Sequence, residues 1–586
     1  MSANLTARSG RLLVALLATC SFGLVGTVGI APANASTTAA APSAKLPDPG
    51  KSGPMDVTAT EYNDGDTAYT PPALGHAGEV RASVHYPTDL SDGPYPMIVL
   101  LHGRHATCHT GSQAFGGWPC TGGATTIPSF QGYDYLAENL ASWGYVVISI
   151  SANAINAFDS GTEDAGALAR AQLIQYHLDK WKTFTTTGGA PFGKTFVGKV
   201  DLQNIGEMGH SRGGEGVVES YLLNKSLGSP YGINAVLPLA PVDFSRHIIN
   251  NVPLSVILPY CDGDVSDNQG IHFYDDSLYN VPKDNSPKNY LEVMGANHNF
   301  FNTIWTPGGF EAGAGDDWGG GTDPICGAQE GSERLSAQQQ RDVGEAYMAG
   351  FFRLYIGGET DMTPYFNGTE VQPKSVKFAD LHDAYHAPAN ERLTVNNWMD
   401  KADLKKDLLG GDVTQKGLTP FDLCGGAPPE PTPCVTTAGS AQQPHTVRSA
   451  FSAAPGLSQL RFAWKKNTAF MTNEIPASSR DVSAYTAVSF RIAQNIGALH
   501  PNEDLSVVLT DASGKSSSVT VKKWSDALFQ PLGTTGGLTP KEILNTVRIP
   551  LSAFKGVDLK SVAKVTLAFD QTKVGSVLMT DLAFND

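Results

Sequence analysis

A pentapeptide about a third of the way along the chain places a serine between two glycines, a spacing that could present a nucleophile. The stretch Gly209-His-Ser-Arg-Gly213 matches the pattern G-x-S-x-G and carries Ser211 at its centre. A short run with the character of a strand precedes it, and a helical pattern of apolar residues follows it. The sequence therefore predicts a nucleophile elbow, a sharp strand-to-helix turn that holds a serine hydroxyl clear of the backbone. Glycine suits both flanking positions because such a turn needs unusual φ/ψ values and leaves no room for a Cβ.

A serine hydroxyl needs two partners before it can act as a nucleophile at neutral pH. A base must take its proton, and an acid must orient that base. We predict that His298, directly after an apolar run, is the base, and that Asp264, after the preceding apolar run, is the acid. Asp262 follows the same run and is the first alternative. Asp264 is preferred because the acid usually lies a few residues beyond its strand, whereas Asp262 suits a turn. Asp243 is a third choice.

These side chains follow apolar runs that have the length of buried strands. Continuous apolar runs are typical of parallel strands that are covered on both faces. Helical patterns alternate with the runs, which predicts a mostly parallel sheet with helices on both faces. In such a sheet ligands bind beyond the carboxyl ends of the strands. The predicted strands are 96–101, 144–150, 234–240, 254–259 and 289–294, and the predicted helices are 129–142, 163–181 and 336–356.

Five phrases make the region 79–357 resemble an α/β-hydrolase. The region is most similar to secreted cutinase-like polyester hydrolases and to their dienelactone-hydrolase and platelet-activating-factor-acetylhydrolase-like relatives. The order nucleophile, acid, histidine along the chain is also that of the α/β-hydrolases. The phrases are Val84-His-Tyr-Pro87, Gly93-Pro-Tyr-Pro96, His102-Gly103, Gly209-His-Ser-Arg-Gly213 and Gly295-Ala-Asn-His298.

The resemblance implies a role for each matching residue. Ser211 would be the nucleophile, Asp264 the acid and His298 the base of an acyl-transfer triad. The backbone N–H groups of Arg212 and Arg104 would form the oxyanion hole. The resemblance implies neither a metal ion nor an organic cofactor.

Two features depart from the cutinase-like pattern. Arg212 stands where that family has a hydrophobic residue, and the Gly- and Asp-rich stretch 306–331 is an insertion. Both lie near the expected substrate position, so the resemblance alone does not fix a polyester as the substrate. Asp316, Asp317 and Asp323 of the insertion have the oxygen ligands that calcium prefers. The interpretation preferred here is a solvated acidic loop.

Changes of composition divide the chain into five predicted segments. The last segment has short strands separated by turns, which is typical of an antiparallel sandwich. It loosely resembles a carbohydrate-binding-module-like jelly roll in the phrases Val488-Ser-Phe-Arg-Ile492, Val547-Arg-Ile-Pro-Leu-Ser-Ala-Phe554 and Asp581-Leu-Ala-Phe584. Arg392-Leu-Thr-Val395 is a candidate for its first strand. The segments are a secretory signal peptide (1–35), a flexible leader (36–54), an α/β-hydrolase catalytic domain (55–360), a connecting region (361–444) and a β-sandwich domain (445–586).

Cysteine content and charge limit the compartment and the partners. Of the seven Cys, six remain after a signal peptide is removed, and an even number in an exported chain predicts disulfides. A formal net charge of −16 disfavours binding to a nucleic-acid backbone. After the leader no apolar stretch approaches the roughly 20 residues of a membrane-spanning helix. The predicted disulfides are Cys108–Cys120, Cys261–Cys326 and Cys424–Cys434.

The function predicted from these features is that of a secreted serine hydrolase that cleaves carboxylic esters of a lipid, a short acyl group or a polymer. A peptidase or amidase with the same triad is the first alternative. A non-catalytic binding protein on a hydrolase fold is the second. Polysaccharide or polymer binding by the C-terminal domain is a further expectation, and neither nucleic acid nor stable membrane insertion is expected.

Overall fold

The computed structural model describes residues 46–315, 317–318, 321–426, 432–446, 456–533 and 538–586. The predicted signal peptide lies outside the described residues. Residues 46–54 of the predicted flexible leader pack against the body of the protein: Asn139 Nδ2 donates to Pro49 O (3.2 Å) and Trp143 Nε1 donates to Lys51 O (2.8 Å). Residues 46–54 thus make contacts with the α/β part, and the boundary of the flexible leader stays a prediction. None of the helices in the described part has the length and apolar character needed to cross a bilayer.

The first two thirds of the chain alternate between strands and helices, as the apolar runs predict. The strands are β1 (Val57–Asn63), β2 (Arg81–Pro87), β3 (Tyr95–Leu101), β4 (Cys108–Thr110), β5 (Gln113–Phe115), β6 (Thr125–Thr126), β7 (Val146–Ile150), β8 (Val200–His210), β9 (Ile233–Leu239), β10 (Leu254–Pro259), β11 (Lys288–Val293) and β12 (Leu381–His386). The helices are α1 (Asp134–Ser142), α2 (Asn153–Phe158), α3 (Ala167–Thr186), α4 (Arg212–Ser226), α5 (Ile271–Asn280) and α6 (Ala337–Tyr355).

Nine of these strands form one sheet in the order β1-β2-β7-β3-β8-β9-β10-β11-β12. The six strands from β7 to β11 are parallel to their neighbours, and β1, β2 and β12 pair antiparallel at the two edges. The strands β5, β4 and β6 form a separate short sheet. The carboxyl ends of β3, β8, β10 and β11 therefore lie along the same edge, which brings the predicted site residues together.

Helices cover both faces of this sheet because its central strands are apolar on both sides. In β3, Met97, Val99 and Leu101 belong to one buried cluster, and Ile98 and Leu100 belong to the other. The first cluster includes apolar residues of α3, α4 and α5, and the second includes those of α1 and α6. Alternate side chains of one strand thus support two separate layers of helices.

Beyond β12 the described chain forms two antiparallel sheets. One has the order β15-β16-β23-β18-β21, with β13 also paired to β23, and the other has the order β14-β17-β22-β19-β20. Residues of both sheets share one buried apolar cluster. The strands are β13 (Arg392–Asn396), β14 (Val413–Lys416), β15 (Leu418–Gly425), β16 (Ser458–Trp464), β17 (Phe470–Glu474), β18 (Ala487–Gln494), β19 (Ser506–Asp511), β20 (Ser516–Thr520), β21 (Asn545–Pro550), β22 (Val562–Ala568) and β23 (Gly575–Asn585).

The predicted domain boundaries stay a prediction, although β12 and β13 bear on them. β12 pairs with β11 and so extends the α/β sheet beyond residue 360. β13, the candidate first strand of the C-terminal domain, pairs with β23. The two parts of the chain also share buried polar contacts. Asp275 of α5 lies 2.7 Å from His445 Nδ1 and 3.0 Å from Arg491 Nη1.

The structure contains the three predicted disulfides. Their Cα–Cα distances are 4.9–5.6 Å, within the usual range for the bond. The pair Cys261–Cys326 joins the end of β10 to the Gly- and Asp-rich insertion.

Candidate active site

Ser211 occupies a sharp turn between β8 and α4. β8 ends at His210 and α4 begins at Arg212, and Ser211 has φ 59° and ψ −125°, an unusual conformation for a residue with a side chain. Its backbone N–H donates to Leu239 O (2.9 Å). A Cβ at Gly209 would lie 1.9 Å from Gly213 O, so a residue larger than glycine would force the turn open. The local geometry is that of the predicted nucleophile elbow.

The loop after β3 lies directly against this serine. A Cβ on Gly103 would be 2.5 Å from Ser211 Cβ and 3.2 Å from Ser211 Oγ, so glycine is the residue that allows this approach. His102 holds the loop: its Nδ1 is 2.8 Å from Gly103 O, and its Nε2 accepts from Ala152 N (2.9 Å). Burial lowers the pKa of His102 to about 3, so the ring is neutral and acts by hydrogen bonding.

The backbones of Arg104 and Arg212 are therefore both close to the serine. Arg104 follows Gly103, which touches Ser211, and Arg212 directly follows Ser211. Their assignment as donors of an oxyanion hole stays a prediction. The side chains of the two arginines meet at a common carboxylate, Asp159.

The buried carboxylate that contacts His298 is Asp262. Asp262 Oδ2 lies 2.8 Å from His298 Nδ1, and both side chains are almost fully buried. The other oxygen, Oδ1, accepts from the backbone N–H groups of Asp264 (3.0 Å) and Val265 (2.6 Å), which fixes the carboxylate in the turn after β10. Asp262 thus has the contact expected of the residue that orients the base.

Asp264, the acid that the sequence analysis preferred, lies on the Nε2 side of the His298 ring. Its side chain is 66% exposed, and its Oδ2 is 3.6 Å from His298 Nε2, the nitrogen that a base must present to the serine. The preference for Asp264 over Asp262 is therefore corrected by the geometry: the turn directs the first aspartate inwards and the second towards solvent. Asp243, the third choice, is buried beside Arg246, 3.4 Å from its Nε.

Asp317 connects the acid loop to the base loop, a role that the sequence analysis missed. Its Oδ2 accepts from Gly263 N (2.7 Å) and from His298 N (3.1 Å). Burial raises the pKa of Asp317 to about 6, and the nearby Asp262 adds to the shift. The expectation of a solvated loop is wrong for this residue. Asp323 accepts from the backbone of Ile325 and Cys326, and Asp316 lies outside the described residues.

The carboxylates around His298 determine its charge. Burial alone would lower the pKa of His298, but the charge and hydrogen bond of Asp262 outweigh it, and Asp264 and Asp317 act in the same direction. Together they raise the pKa to about 9. The free protein at neutral pH therefore holds His298 mostly as the imidazolium, and the neutral ring that can accept a proton becomes more abundant as the pH rises.

Aromatic side chains form the wall beside the candidate base. The ring of His210 lies 4.9 Å from that of His298 and 4.9 Å from that of Trp305, centroid to centroid. Tyr133 OH is 2.9 Å from His210 Nδ1, which fixes the His210 ring. Among the described contacts Ser211 Oγ has no side-chain hydrogen bond, and such catalytic bonds are often loose before substrate binds.

One group of side chains in the described residues has the spacing of metal ligands. Oxygen and nitrogen atoms of Asp380, His382 and Asp526 lie within 4.8 Å of one another. Burial alone would lower the pKa of His382, but the hydrogen bonds and charges of the two aspartates raise it to about 10. We interpret the group as an ion pair between the buried His382 ring and two largely exposed aspartates.

The sheet order, the elbow and the contact between Asp262 and His298 define the α/β part as an α/β-hydrolase. Residues 37–306 match the family model described as PETase: PET hydrolase-like. This match confirms the predicted resemblance to cutinase-like polyester hydrolases. The chain is also similar to a bis(hydroxyethyl) terephthalate hydrolase of Streptomyces coelicolor, with 25% identity over 238 residues. That alignment covers 40% of this chain and 60% of the relative, so the chain spans less than two thirds of the relative it matches.

Proposed function

We propose that this protein is a secreted serine hydrolase that cleaves carboxylic esters, with Ser211 as nucleophile, His298 as base and Asp262 as the acid that orients the base. The observation that carries the proposal is the buried 2.8 Å contact between His298 Nδ1 and Asp262 Oδ2. The His298 ring also lies 4.9 Å from that of His210, which directly precedes the serine of the strained elbow. The PET hydrolase-like match over 37–306 supports ester cleavage in particular.

The reaction would proceed by two acyl transfers. Neutral His298 accepts the proton of the Ser211 hydroxyl through Nε2 while Oγ attacks the ester carbonyl. The C=O electron pair moves onto oxygen, which the backbone N–H groups of Arg104 and Arg212 would stabilise. The tetrahedral intermediate collapses, the C–O bond to the alcohol breaks, and His298 returns its proton to the leaving oxygen. Water then attacks the acyl-enzyme by the same steps and releases the acid.

Asp262 has two tasks in this scheme. It accepts the N–H of His298 Nδ1, which leaves Nε2 as the basic nitrogen, and its negative charge stabilises the imidazolium that forms in each step. Its own position depends on the backbone donors at 264 and 265 and on the disulfide that anchors the end of β10.

The two alternatives of the sequence analysis have less support. A peptidase or amidase would use the same triad, but the family match and the named relative are ester hydrolases. A non-catalytic binding protein on a hydrolase fold would be expected to lack a triad member, whereas Ser211, Asp262 and His298 are all present. We also propose that the two C-terminal sheets form a jelly-roll-like sandwich. The family match ends at 306, so polysaccharide or polymer binding by this part stays a prediction.

Three measurements on purified protein test the proposal. The first is hydrolysis of p-nitrophenyl acetate and butyrate, the second is labelling by a fluorophosphonate probe, and the third is a matching p-nitroanilide panel. We expect ester turnover and labelling that disappear in Ser211→Ala and persist in Ser226→Ala, an exposed serine at the end of the same helix α4. Faster cleavage of anilides than of esters would support the amidase, and a protein without turnover or labelling would not be a serine hydrolase.

A further inference from the structure

One buried carboxylate beside the nucleophile is shared by three arginines. Asp159 has a fully buried side chain, and its oxygens lie 3.3 Å from Arg104 Nε, 3.0 Å from Arg170 Nη2 and 2.8 Å from Arg212 Nη1. We call these four residues the arginine cluster. Asn156 Oδ1 accepts a further hydrogen bond from Arg170 Nη2 (2.7 Å), so the central guanidinium is fixed from two sides.

The three arginines differ in how far they reach solvent. Arg170 is fully buried, whereas the Arg104 side chain is 50% exposed and that of Arg212 is 22% exposed. Arg104 reaches Asp159 through Nε, and among the described contacts its two terminal nitrogens have no hydrogen-bond partner. Because Gly103 touches Ser211 and Arg212 follows Ser211, the backbones of Arg104 and Arg212 lie beside the candidate nucleophile, and both side chains are partly exposed.

The charges of the arginine cluster do not cancel. Three guanidinium groups share one carboxylate, which leaves two positive charges. Burial raises the pKa of the neighbouring Glu215 to about 8, and Asp243 adds to the shift, so this acid is largely protonated at neutral pH. Asp243 itself is within 3.4 Å of Arg246.

The surroundings of His298 carry charges of the opposite sign. Asp262, Asp264 and Asp317 surround His298, and the whole chain has a formal net charge of −16. A positive patch beside the candidate nucleophile is therefore a local exception in an acidic protein. An anionic substrate would be repelled by most of the surface and attracted at this one side of the nucleophile.

We propose that Arg104 and Arg212 form an anion subsite that selects esters carrying a free carboxylate, that is, half-esters of dicarboxylic acids and carboxylate-ended oligoesters. The proposal rests on the proposed function. A guanidinium group offers N–H donors in a planar fork that matches a carboxylate, and Arg104 has its outer edge available for such a contact. Each cut in a polyester leaves a carboxylate on one fragment, so an upstream polymer-cutting ester hydrolase would supply this class of substrate.

The test compares monomethyl adipate with dimethyl adipate, which differ in one negative charge but share the acyl chain and the leaving methanol. The quantity measured is the ratio of kcat/KM for the anionic ester to that for the neutral ester. A ratio is used because any disturbance of the neighbouring backbone donors lowers both rates together. We expect Arg104→Gln to lower the ratio about tenfold at low ionic strength, Arg104→Lys to keep most of it, and added salt to lower it in the wild type.

The control is Lys466→Gln, which removes an exposed positive charge between β16 and β17 and should leave the ratio unchanged. If Arg104→Gln does not fold, the salt dependence of the wild-type ratio tests the anion subsite by itself. A ratio that neither salt nor Arg104→Gln changes would overturn the anion subsite while ester hydrolysis stands. Absence of turnover of both esters and of fluorophosphonate labelling would instead overturn the proposed function, and the subsite with it.

Discussion

Replacing each of the two neighbouring aspartates by asparagine separates the two candidates for the triad acid. In Asp262→Asn the amide oxygen still accepts from the backbone N–H groups of Asp264 and Val265, so the turn after β10 is expected to persist. The amide nitrogen, however, meets His298 Nδ1 as a donor where a carboxylate accepted. This favours the tautomer with its proton on Nε2, which cannot act as the base.

The expected losses differ by orders of magnitude. For a buried, hydrogen-bonded triad acid, replacement by an amide lowers kcat by about 10³–10⁴-fold, which corresponds to about 4–5.5 kcal/mol of transition-state stabilisation. Asp264 has a side chain that is 66% exposed and an oxygen 3.6 Å from Nε2. Exposed ion pairs contribute about 0.2–1 kcal/mol, so Asp264→Asn should change the rate above pH 9 by less than about fivefold.

The assay is the pH dependence of kcat/KM for p-nitrophenyl butyrate in wild type and both variants, with thermal unfolding as the check on folding. Asp264→Asn removes one of the charges that raise the pKa of His298, so its rise in activity should move to slightly lower pH. A loss in Asp264→Asn that equals or exceeds the loss in Asp262→Asn, with both variants folded, would refute the assignment made from the 2.8 Å contact.

Three further predictions follow from other contacts in and around the candidate site. In the wild type, kcat/KM should rise with pH to a plateau above the His298 pKa of about 9. Asp317→Asn removes a charge that raises this pKa, so the pH profile of the variant should shift to lower pH. An unshifted profile in a folded variant would contradict this prediction. Gly103→Ala places a Cβ 2.5 Å from Ser211 Cβ and 2.6 Å from His210 O; activity should fall by about 100-fold or more, whereas Gly116→Ala, with open space around it, should behave as wild type in the same ester assay. Lys541→Met leaves the buried carboxylates around Lys541 without its positive charge and should lower the free energy of unfolding by about 3–5 kcal/mol. Denaturant titration measures this loss against the exposed control Lys555→Met. Equal stability of the two variants would show that Lys541 does not stabilise the fold.

The parts of the fold that the sequence predicted are those encoded by continuous runs. The apolar stretches at 96–101, 254–259 and 289–294 correspond to β3, β10 and β11 within one residue at either end. β12 was missed because Leu381–His386 is an edge strand with polar residues and gives no apolar run. The predicted catalytic domain therefore ended at 360, before the last strand of its sheet.

The parts of the site that the sequence could not predict depend on side-chain direction and on contacts between distant residues. Asp262 and Asp264 are two residues apart in one turn, and only the backbone of that turn decides which carboxylate points at His298. Asp317 contacts Gly263 and His298 through a loop whose path is held by a disulfide. Neither feature has a local sequence pattern. The serine elbow does have one, because its two glycines and the change from strand to helix are adjacent in the sequence.

The acid side of the candidate site is completed by residues far beyond the PET hydrolase-like match. Lys541 is buried, and its Nζ donates to Asn268 Oδ1 in the loop after β10. Burial lowers the pKa of Lys541 to about 8, while Asp262 is the largest of the nearby charges that oppose this shift.

The same segment also holds the end of β10 by its backbone. Tyr260 OH donates to Leu532 O (2.6 Å), and Lys541 N donates to the hydroxyl of Tyr260 (3.2 Å). Tyr260 is two residues before Asp262, so a chain that ended after the α/β sheet would lose both a buried positive charge and two hydrogen bonds beside its triad acid. The segment before β21 therefore contributes to the electrostatics around the proposed triad acid, whether or not the C-terminal sheets bind a polymer.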